Sequence, residues 1–436
     1  MSQRSGRRVL SARIAILALA GMFSAALQAQ QKSPEVAASD DPDAAETATS
    51  KVPLEEIRRL VMIYNAVREA YVDPVQDKRL MQAAVRGLLQ DLDPHSAYLD
   101  KPAAEDFEED TRGSYAGIGV ELQTLPDRTL KVIAPIDGTP AARAGIQSGD
   151  IIIAIDGKPV EPDAQGDSPL RGTPGSTVRL TIKRQGRPKP FDVSLQRETI
   201  RIASVRSRLL EPGYGYVRVA AFQADTGEDF ARSLDTLKKA GPLRGLVLDL
   251  RSNPGGLLTA AVQIADELLE RGKIVSTRGR IRLSDAEFSA TAGDRLNGAP
   301  VVVLVDAGSA SASEVLAGAL RDNRRARVVG SRTFGKGSVQ TLLPLENGDS
   351  VKLTTARYYT PNGTSIQARG IQPDVVLRAE KSADLSSGLV SEATLPRHLR
   401  SEGDVIEGAL AGEVLEGEAP IAAALAELKR MRVGAP

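Results

Sequence analysis

The chain has no cysteine, and its 436 residues include only two histidines, His95 and His398. Without cysteine it can form no disulfide and can offer no thiolate as a nucleophile or metal ligand. A histidine-rich metal site is not expected either, and a Ser-His-Asp triad would need one of the two histidines. The sequence therefore excludes thiol chemistry, and it predicts no metal and no other cofactor.

The chain also lacks an excess of charge of either sign, because lysine and arginine number 56 and aspartate and glutamate also number 56. No overall field would attract nucleic acid or an anionic membrane. Five arginines lie between Arg321 and Arg332, but four of them lie at or just beyond the end of a predicted helix, where cations complement the helix dipole. We therefore expect no nucleic-acid partner.

The first 29 residues have the layout of a secretory signal, with arginines, an apolar run from Ile14 to Leu27, and small residues before a polar break. The apolar run is too short to span a bilayer comfortably. We therefore expect an exported, periplasmic protein, and an uncleaved segment that keeps the protein at the membrane is the alternative. Residues 30–52 are acidic and rich in alanine, which predicts a solvated linker.

Two amphipathic helices are predicted after the linker, at residues 54–71 and 78–92, because apolar residues recur there at spacings of three and four. The second helix ends at the proline of the stretch LDPHSAYLD. His95 lies in this stretch beside Asp93 and Ser96, and polar residues at a helix end usually form caps and turns. We therefore interpret His95 as part of a turn, and a catalytic histidine is the alternative.

Residues 113–197 change to short β patterns separated by glycine-rich turns. Gly117 and Gly119 stand on either side of Ile118, so backbone amides can converge there at the mouth of a groove, and the strand that begins at Val120 offers an edge to an extended peptide. Through YAGIGV and PAARAGIQSGDIIIAIDG this segment resembles a PDZ domain of the circularly permuted bacterial type. The resemblance implies that the amides of Gly117 to Val120 hold the C-terminus of a peptide.

Strands and helices alternate between residues 199 and 377, which predicts a sheet with helices on its faces and with its chemistry in the loops after the strands. The apolar run VVVLVDAG predicts a buried strand. It is followed by SASASEVLAGAL, Ser309 to Leu320, which predicts a helix with a serine-rich start. Another strand, RARVVG, leads into FGKGSVQ, in which Lys336 has a glycine on each side.

Lys336 has two interpretations. The run GSRTFGKGS has the spacing of a P-loop, but Gly337 stands where serine or threonine should hold magnesium, and a β pattern follows instead of a helix. The alternative is a general base for a serine hydroxyl. A neutral lysine needs its pKa lowered from about 10.4 by ~3 units, which is roughly 4 kcal/mol of differential desolvation. Gln340 can hydrogen-bond the amine without adding a negative charge.

These motifs, GSASASEVLAGAL and FGKGSVQ, together with LDLRSNPGG, LDPHSAYLD, the PDZ-like segment and GIQPDV, resemble the carboxyl-terminal processing proteases, also called tail-specific proteases. The motifs occur in a matching order over most of the chain after the linker. The spacing of the residues does not choose among Ser309, Ser311 and Ser313. The resemblance implies that Ser311 is the nucleophile, that Lys336 is the general base and that Gln340 supports the base.

The resemblance also implies an oxyanion hole made of the backbone amides of Ala312 and of Gly255 or Gly256. The expected function is that of a serine endopeptidase that recognises protein C-termini and cleaves through an acyl-enzyme. The alternative is a catalytically inactive, PDZ-containing scaffold that binds peptides. Expected partners are protein or peptide tails, further copies of the chain and a helical-repeat adaptor protein, and Arg184 is expected to couple the PDZ-like domain to the protease core.

The predicted fold class is α/β and multi-domain, with a PDZ-like domain inserted before an α/β protease core and with helices at both ends. The predicted parts are a signal peptide (1–29), an acidic linker (30–52), an N-terminal helical region (53–110), the PDZ-like domain (111–197), the serine-lysine protease core (198–378) and a C-terminal tail with a helix (379–436).

Overall fold

The computed structural model describes residues 53–127, 129–160, 168–379, 390–402 and 412–433. The predicted signal peptide and acidic linker lie outside the described residues. Among the helices of the described ranges, none is long and apolar enough to cross a membrane. The chain divides into two compact units, one ending at Val75 and the other beginning at Gln76.

The first unit contains helix α1, Leu54–Ala70, where the apolar spacing predicts it. Glu55 and Glu56 lie in its first turn, where their charges interact favourably with the helix dipole. No residue of α1 is buried. Its exposed apolar side chains are Leu54, Ile57, Leu60, Val61, Met62 and Ile63.

The second unit begins with helix α2, Asp77–Gln90, strand β1, Ala97–Leu99, and helix α3, Lys101–Arg112. The carboxylate of Asp100 caps α3, because it accepts the Ala103 N–H at 3.3 Å. The second predicted helix is confirmed, although it ends at Gln90, two residues earlier than the predicted 92, and the LDPHSAYLD stretch continues as a short strand.

A β-rich module follows, as the glycine-punctuated pattern predicts. Its elements are β2 (Ser114–Gly117), β3 (Val120–Thr124), β4 (Leu130–Pro135), α4 (Pro140–Arg143), β5 (Ile151–Ile155), β6 (Lys158–Pro159), β7 (Thr177–Lys183), β8 (Phe191–Gln196) and β9 (Glu198–Arg201). The main sheet has the order β3-β4-β5-β7-β8, with β6 beside β5, and β2 pairs separately with β9. Fully buried apolar residues such as Val132, Ile152 and Ile182 form its own core.

The remaining chain forms the α/β core. Its elements are β10 (Val205–Glu211), β11 (Tyr214–Val219), α5 (Thr226–Lys238), β12 (Gly245–Asp249), α6 (Leu258–Leu268), β13 (Lys273–Gly279), β14 (Ala286–Ser289), β15 (Val301–Val305), α7 (Ala312–Asp322), β16 (Ala326–Gly330), β17 (Ser338–Pro344), β18 (Ser350–Tyr359), β19 (Val375–Val376) and α8 (Ala419–Val433).

The central sheet has the order β10-β11-β12-β15-β16-β19 and is parallel from β11 to β19. Its four inner strands, β11, β12, β15 and β16, are buried on both faces, which explains their continuous apolar runs. Leu248 and Val303 belong to the cluster that contains residues of α5, α6 and α7. Val247 and Val302 point to the other face and pack with Leu428 of α8. A second sheet contains β1, β18, β13, β14 and β17, and β17 begins directly after the lysine turn.

The C-terminal segment is part of this core. Helix α8, predicted from PIAAALAELKRMR, covers one face of the central sheet. Before it, the chain passes along the carboxyl ends of β12 and β15. There Arg251 donates hydrogen bonds to the carbonyl oxygens of Leu415 at 2.9 Å and Gly417 at 3.1 Å, and Ala307 donates its N–H to the Glu413 carbonyl at 3.2 Å.

The structure confirms the α/β class and the separate β-rich module, and it corrects one helix start. Helix α7 begins at Ala312 and not at Ser309. The hydroxyl groups of Ser309 and Ser313 are bound to loop carbonyls, and Ser311 has φ 56°, so the segment before Ala312 is a tight turn. A residue with a positive φ cannot continue a right-handed helix, which explains the later start.

Candidate active site

Three loops meet at the carboxyl ends of neighbouring parallel strands β12, β15 and β16. They contain Gly255 and Gly256, the serine-rich turn, and the turn around Lys336. A methyl group on Gly255 would lie 2.8 Å from the Ala310 carbonyl oxygen and 2.9 Å from Ser311 Cβ. The first two loops therefore touch, although they are far apart in the sequence, and Gly255 lacks a side chain where the serine turn passes.

The three serines of the turn differ in what their hydroxyl groups do. Ser309 Oγ donates to the Leu250 carbonyl at 2.8 Å, and Ser313 Oγ donates to the Asn253 carbonyl at 2.9 Å. Both of these serines are fully buried, whereas Ser311 retains 8% of its surface. Among the described residues the Ser311 hydroxyl proton has no acceptor. The flanking serines thus fasten the turn to the neighbouring loop, and Ser311 keeps a hydroxyl available for chemistry.

Ser311 has a strained backbone that a buried carboxylate supports. Its φ of 56° lies in the left-handed region, which costs a residue with a side chain of order 1–3 kcal/mol. Its N–H donates to Glu314 Oε2 at 2.8 Å, and Glu314 is fully buried in the first turn of α7. The hydrogen bond to Glu314 therefore helps to maintain the strained conformation of Ser311. This residue precedes the first residue of α7 and is not part of the helix.

Glu314 also holds the lysine turn. Its carboxylate accepts hydrogen bonds from the Thr333 hydroxyl at 2.5 Å, the Gly335 N–H at 2.7 Å and the Lys336 N–H at 2.9 Å. Burial raises the pKa of Glu314 to about 7, against the effect of the hydrogen bonds that it accepts. One side chain therefore fixes the serine turn relative to the lysine turn.

Lys336 is partly buried, and no hydrogen bond is formed by its Nζ within the ranges that the structure describes. Burial lowers the pKa of Lys336, and the nearby charge of Lys352 acts in the same direction. The carboxylates of Glu392, Glu314 and Asp93 oppose this shift. The neutral amine, which is the form that can accept a proton, is therefore easier to reach at Lys336 than in an exposed lysine.

Gln340 lies on β17, the strand that begins directly after the lysine turn. Its Nε2 donates to Ser338 Oγ at 3.0 Å and to Thr354 Oγ1 at 3.3 Å. The described residues contain no hydrogen bond that joins Lys336 to Ser311 or to Gln340. The supporting role of Gln340 therefore stays a prediction.

The two glycines predicted for the oxyanion hole have different hydrogen bonds. The Gly255 N–H donates to Asn253 Oδ1 at 2.8 Å, and the Asn253 amide is anchored on the Val219 carbonyl at 2.8 Å. For Gly256 and Ala312 the described part of the chain offers no acceptor to the backbone N–H. Of the two glycines that the sequence leaves open, Gly256 has the available donor.

The four residues predicted to bind a peptide form the turn between β2 and β3. The Ile118 side chain is buried, and the carbonyl oxygens of Ile118 and Gly119 accept the N–H groups of Ala141 and Ile136 at 2.9 Å and 3.0 Å. The N–H groups of Ile118 and Gly119 find no acceptor among the described residues. Val120 begins β3, the terminal strand of its sheet, so the described sheet has an open edge beside these amides.

Arg184, which the sequence suggested as the link to the core, makes its hydrogen bonds and ion pair inside the β-rich module. It forms two hydrogen bonds with the buried Asp150, at 2.6 Å and 2.7 Å. Arg171 reaches outside the module instead, because it pairs with Asp106 at 3.1 Å and with Glu109, both on α3. The sequence around Arg171, where the residue stands next to a glycine within a β pattern, did not indicate that Arg171 contacts α3.

Comparison with known proteins decides the family. Residues 213–377 match peptidase family S41, residues 116–195 match a PDZ domain, and residues 15–103 match the N-terminal domain of the activating protease CtpB. A carboxy-terminal-processing protease of Bartonella bacilliformis is 41% identical over 363 residues, which is 81% of this chain and 82% of that protein. The chain belongs to the carboxy-terminal-processing protease family. It is a serine protease with a PDZ domain, and the PDZ domain is the β-rich module described above.

Two further relatives belong to the same carboxy-terminal-processing protease family. The carboxy-terminal processing protease CtpA of Bacillus subtilis is 33% identical over 320 residues, covering 73% of this chain and 68% of that protein. The solved structure of a photosystem II D1 C-terminal processing protease is 33% identical, with a TM-score of 0.43, and covers 74% of this chain and 93% of that chain.

The sequence did not identify several residues that organise the site. Glu314 follows Ser311 at the spacing of a capping box, which was visible, but its bonds to the lysine turn depend on the fold. Gln367 accepts the Gly337 N–H at 3.0 Å, and Glu392 donates its N–H to the Phe334 carbonyl at 3.0 Å. Neither residue lies in a recognisable pattern, so no local signal could have revealed it.

Proposed function

We propose that this protease cleaves with Ser311 as the nucleophile and Lys336 as the general base. The observation that carries the proposal is the contrast between the three serines. The hydroxyl groups of Ser309 and Ser313 are used in the turn, whereas that of Ser311 is available, and Glu314 fixes its turn to that of a lysine whose pKa is lowered by burial.

In the proposed reaction, Ser311 Oγ attacks the scissile carbonyl carbon while neutral Lys336 accepts the hydroxyl proton. The carbonyl oxygen becomes an oxyanion, which the N–H groups of Ala312 and Gly256 stabilise; each such donor is typically worth of order 3 kcal/mol. Lys336 then gives its proton to the leaving amine as the C–N bond breaks. Water attacks the resulting acyl-enzyme, Lys336 accepts a proton from that water, and the proton returns to Ser311 as the ester is hydrolysed. Gln340 supports the lysine in this scheme.

The substrate in this proposal is a protein tail. A peptide that adds to β3 in the extended conformation would find the N–H groups of Ile118 and Gly119 at the mouth of its groove, positioned to bind a terminal carboxylate. Gly117 and Val120 bound this turn as the last residue of β2 and the first of β3. The PDZ domain would thus hold the end of a chain whose upstream segment is cleaved.

We also propose that the protein is exported to the periplasm and that it forms homo-oligomers. The export proposal rests on the signal-like first 29 residues. The assembly proposal rests on the exposed apolar residues of α1, a surface that a second copy or a helical-repeat adaptor protein could cover.

The test of this function is cleavage of casein by the wild type, Ser311→Ala and Lys336→Arg. We expect both variants to fold and to lose activity by a factor of about 10³ or more. Arginine keeps the positive charge and the long side chain, but its guanidinium cannot serve as a neutral base. Equal proteolysis by wild type and Ser311→Ala would contradict the nucleophile. Proteolysis retained in Lys336→Arg would contradict the base.

If the wild type alone leaves casein intact, the same three proteins are treated with a fluorophosphonate, which reacts with activated serines without a protein substrate. Labelling of the wild type at Ser311 supports an enzyme that awaits an adaptor. A wild type that is labelled no faster than Ser311→Ala would support the alternative, an inactive peptide-binding scaffold.

A further inference from the structure

His95 reaches beyond the turn in which it lies. The turn itself forms as the sequence predicts, because the Asp93 carboxylate accepts the N–H groups of His95 and Ser96, each at 2.8 Å. The imidazole leaves this turn, and its Nε2 lies 2.8 Å from Glu392 Oε2. The His95 side chain is 16% exposed and that of Glu392 is fully buried, so the pair is largely shielded from water.

Glu392 is connected to the backbone on both sides of the catalytic lysine. Its Oε1 accepts a hydrogen bond from Gln367 Nε2 at 2.7 Å, and Gln367 Oε1 accepts the Gly337 N–H at 3.0 Å. The Glu392 N–H donates to the Phe334 carbonyl at 3.0 Å. A continuous set of hydrogen bonds therefore runs from His95 to the residue that follows Lys336.

The same turn reaches Gln340 by a second route. Ser96 Oγ donates to Asp93 at 2.8 Å and accepts the Thr354 N–H at 3.1 Å. Gln340 Nε2 then donates to Thr354 Oγ1 at 3.3 Å. The turn between α2 and β1 is thus linked to the lysine turn through Glu392 and Gln367 and to Gln340 of β17 through the partly buried Thr354.

Four charged groups on four separate parts of the chain act on the Lys336 amine. Lys352 on β18 favours the neutral amine, and Glu392, Glu314 on α7 and Asp93 favour the ammonium form. Glu392 stands first among these carboxylates in its effect. Of the three, it is the one that contacts a titratable side chain, since Glu314 and Asp93 are bound by backbone N–H and hydroxyl groups.

We propose that His95 and Glu392 are positioning residues for the general base: His95 holds the Glu392 carboxylate, and Glu392 holds the lysine turn through Gln367. The negative charge of Glu392 also acts on the Lys336 amine. This inference rests on the proposed role of Lys336. Neither residue touches the substrate in this scheme, so both act through the lysine.

The first test is the pH dependence of fluorophosphonate labelling of Ser311, from pH about 5 to 10, in the wild type and Glu392→Gln. A glutamine at this position can keep both hydrogen bonds, because its oxygen accepts from Gln367 and its amide can donate to His95 Nε2 when the imidazole proton is on Nδ1. It removes only the negative charge. We expect the acid limb of the profile to move to lower pH by roughly one unit, since the neutral lysine then forms more readily.

Lys352→Gln distinguishes a failure of the proposed role of Glu392 from an acid limb that does not report Lys336. Removing this positive charge favours the ammonium form of Lys336, so the acid limb should move to higher pH. If neither variant moves the limb, the limb reports another group, such as Glu314, and the action of the Glu392 charge on Lys336 is overturned; the Lys336→Arg variant tests the base itself. If Lys352→Gln moves it and Glu392→Gln leaves it in place, the base stands and the role of Glu392 is overturned.

The second test addresses the histidine. His95→Ala leaves Glu392 without this partner, so we expect the labelling rate at the optimum to fall by about tenfold because the lysine turn loosens. His95→Gln places an amide N–H where Nε2 lies and should restore most of the rate. An alanine variant as fast as the wild type, or a glutamine variant no faster than alanine, would overturn the positioning role.

Two matched controls exclude general damage. His398→Gln changes the second histidine, whose Nδ1 contacts the Leu395 carbonyl at 2.9 Å and whose imidazole contacts none of the network's side chains within the described residues. Glu427→Gln changes another buried carboxylate, which pairs with Arg327 on the far face of the sheet. Both controls should keep the wild-type profile. A control that shifts the limb as Glu392→Gln does would show that the shift is not specific and would count against the proposal.

Discussion

The lysine turn and the turn between β2 and β3 of the PDZ domain each place one residue between two glycines. They differ in whether their backbone N–H groups are hydrogen-bonded. In the lysine turn, the N–H groups of residues 333 to 337 all have acceptors: two carbonyl oxygens, the Glu314 carboxylate and the Gln367 side chain. In the turn of the PDZ domain, the N–H groups of Ile118 and Gly119 have none within the described residues. A general base must be fixed before the substrate arrives, whereas a binding turn must leave donors for its ligand.

The largest effect should follow from breaking the support of the lysine turn with Glu314→Gln. An amide has one acceptor oxygen, so it would turn an N–H group toward backbone donors that now face a carboxylate. We expect kcat/KM for casein to fall by about 10³-fold, because buried donors left unpaired cost about 1–3 kcal/mol each and both turns move.

The loss caused by Glu314→Gln should depend on pH. The pKa of Glu314 is about 7, so the wild type carries the full carboxylate only above that pH. The ratio of wild-type to variant activity should therefore grow as the pH rises through about 7. Glu427→Gln is the control, and an activity ratio that is constant over this range would contradict the role of the charged form.

A smaller loss should follow from crowding the lysine turn with Gly337→Ala. The added methyl group would lie 2.2 Å from the Gln367 backbone nitrogen, so the turn must move. Displacement of a catalytic group by about 1 Å can cost 10²-fold, and we expect a fall of about this size in the rate of fluorophosphonate labelling. Gly87→Ala in α2, where nothing lies within 4 Å of the added methyl group, should label at the wild-type rate. An unaffected Gly337→Ala variant would show that the close approach is not needed.

The smallest effect on chemistry should come from the PDZ turn. Gly119 has φ +77°, and a methyl group there would lie 2.4 Å from Thr139 Cβ. We expect Gly119→Ala to raise KM for a substrate with a free C-terminal tail by about tenfold while the labelling rate of Ser311 stays unchanged. Gly138→Ala is a matched control, because its φ is +74° and the space around it is open. If Gly119→Ala slows labelling as much as Gly337→Ala does, the two turns do not have separate roles.

Much of the fold could be predicted from periodicity and composition. The apolar spacing of three and four residues located α1 and α2, and the alternation of strands and helices predicted the central sheet. The start of α7 was wrong by three residues, because Ser309 is hydrogen-bonded to a distant loop and Ser311 has φ 56°, which a right-handed helix does not allow. His95 was correctly predicted in a turn, but its contact with Glu392 joins residues 297 positions apart and leaves no local trace.

The lack of cysteine, the scarcity of histidine and the placement of Lys336 between glycines are properties of the sequence, and they led to the prediction of a serine nucleophile with a lysine base. They left three serines and two glycines as candidates. The folded chain distinguishes these candidates through contacts between distant segments: Leu250 and Asn253 engage two of the serines, and Asn253 engages one glycine. Hydrogen-bond partners of this kind are set by which loops the sheet brings together, and neither composition nor spacing contains that information.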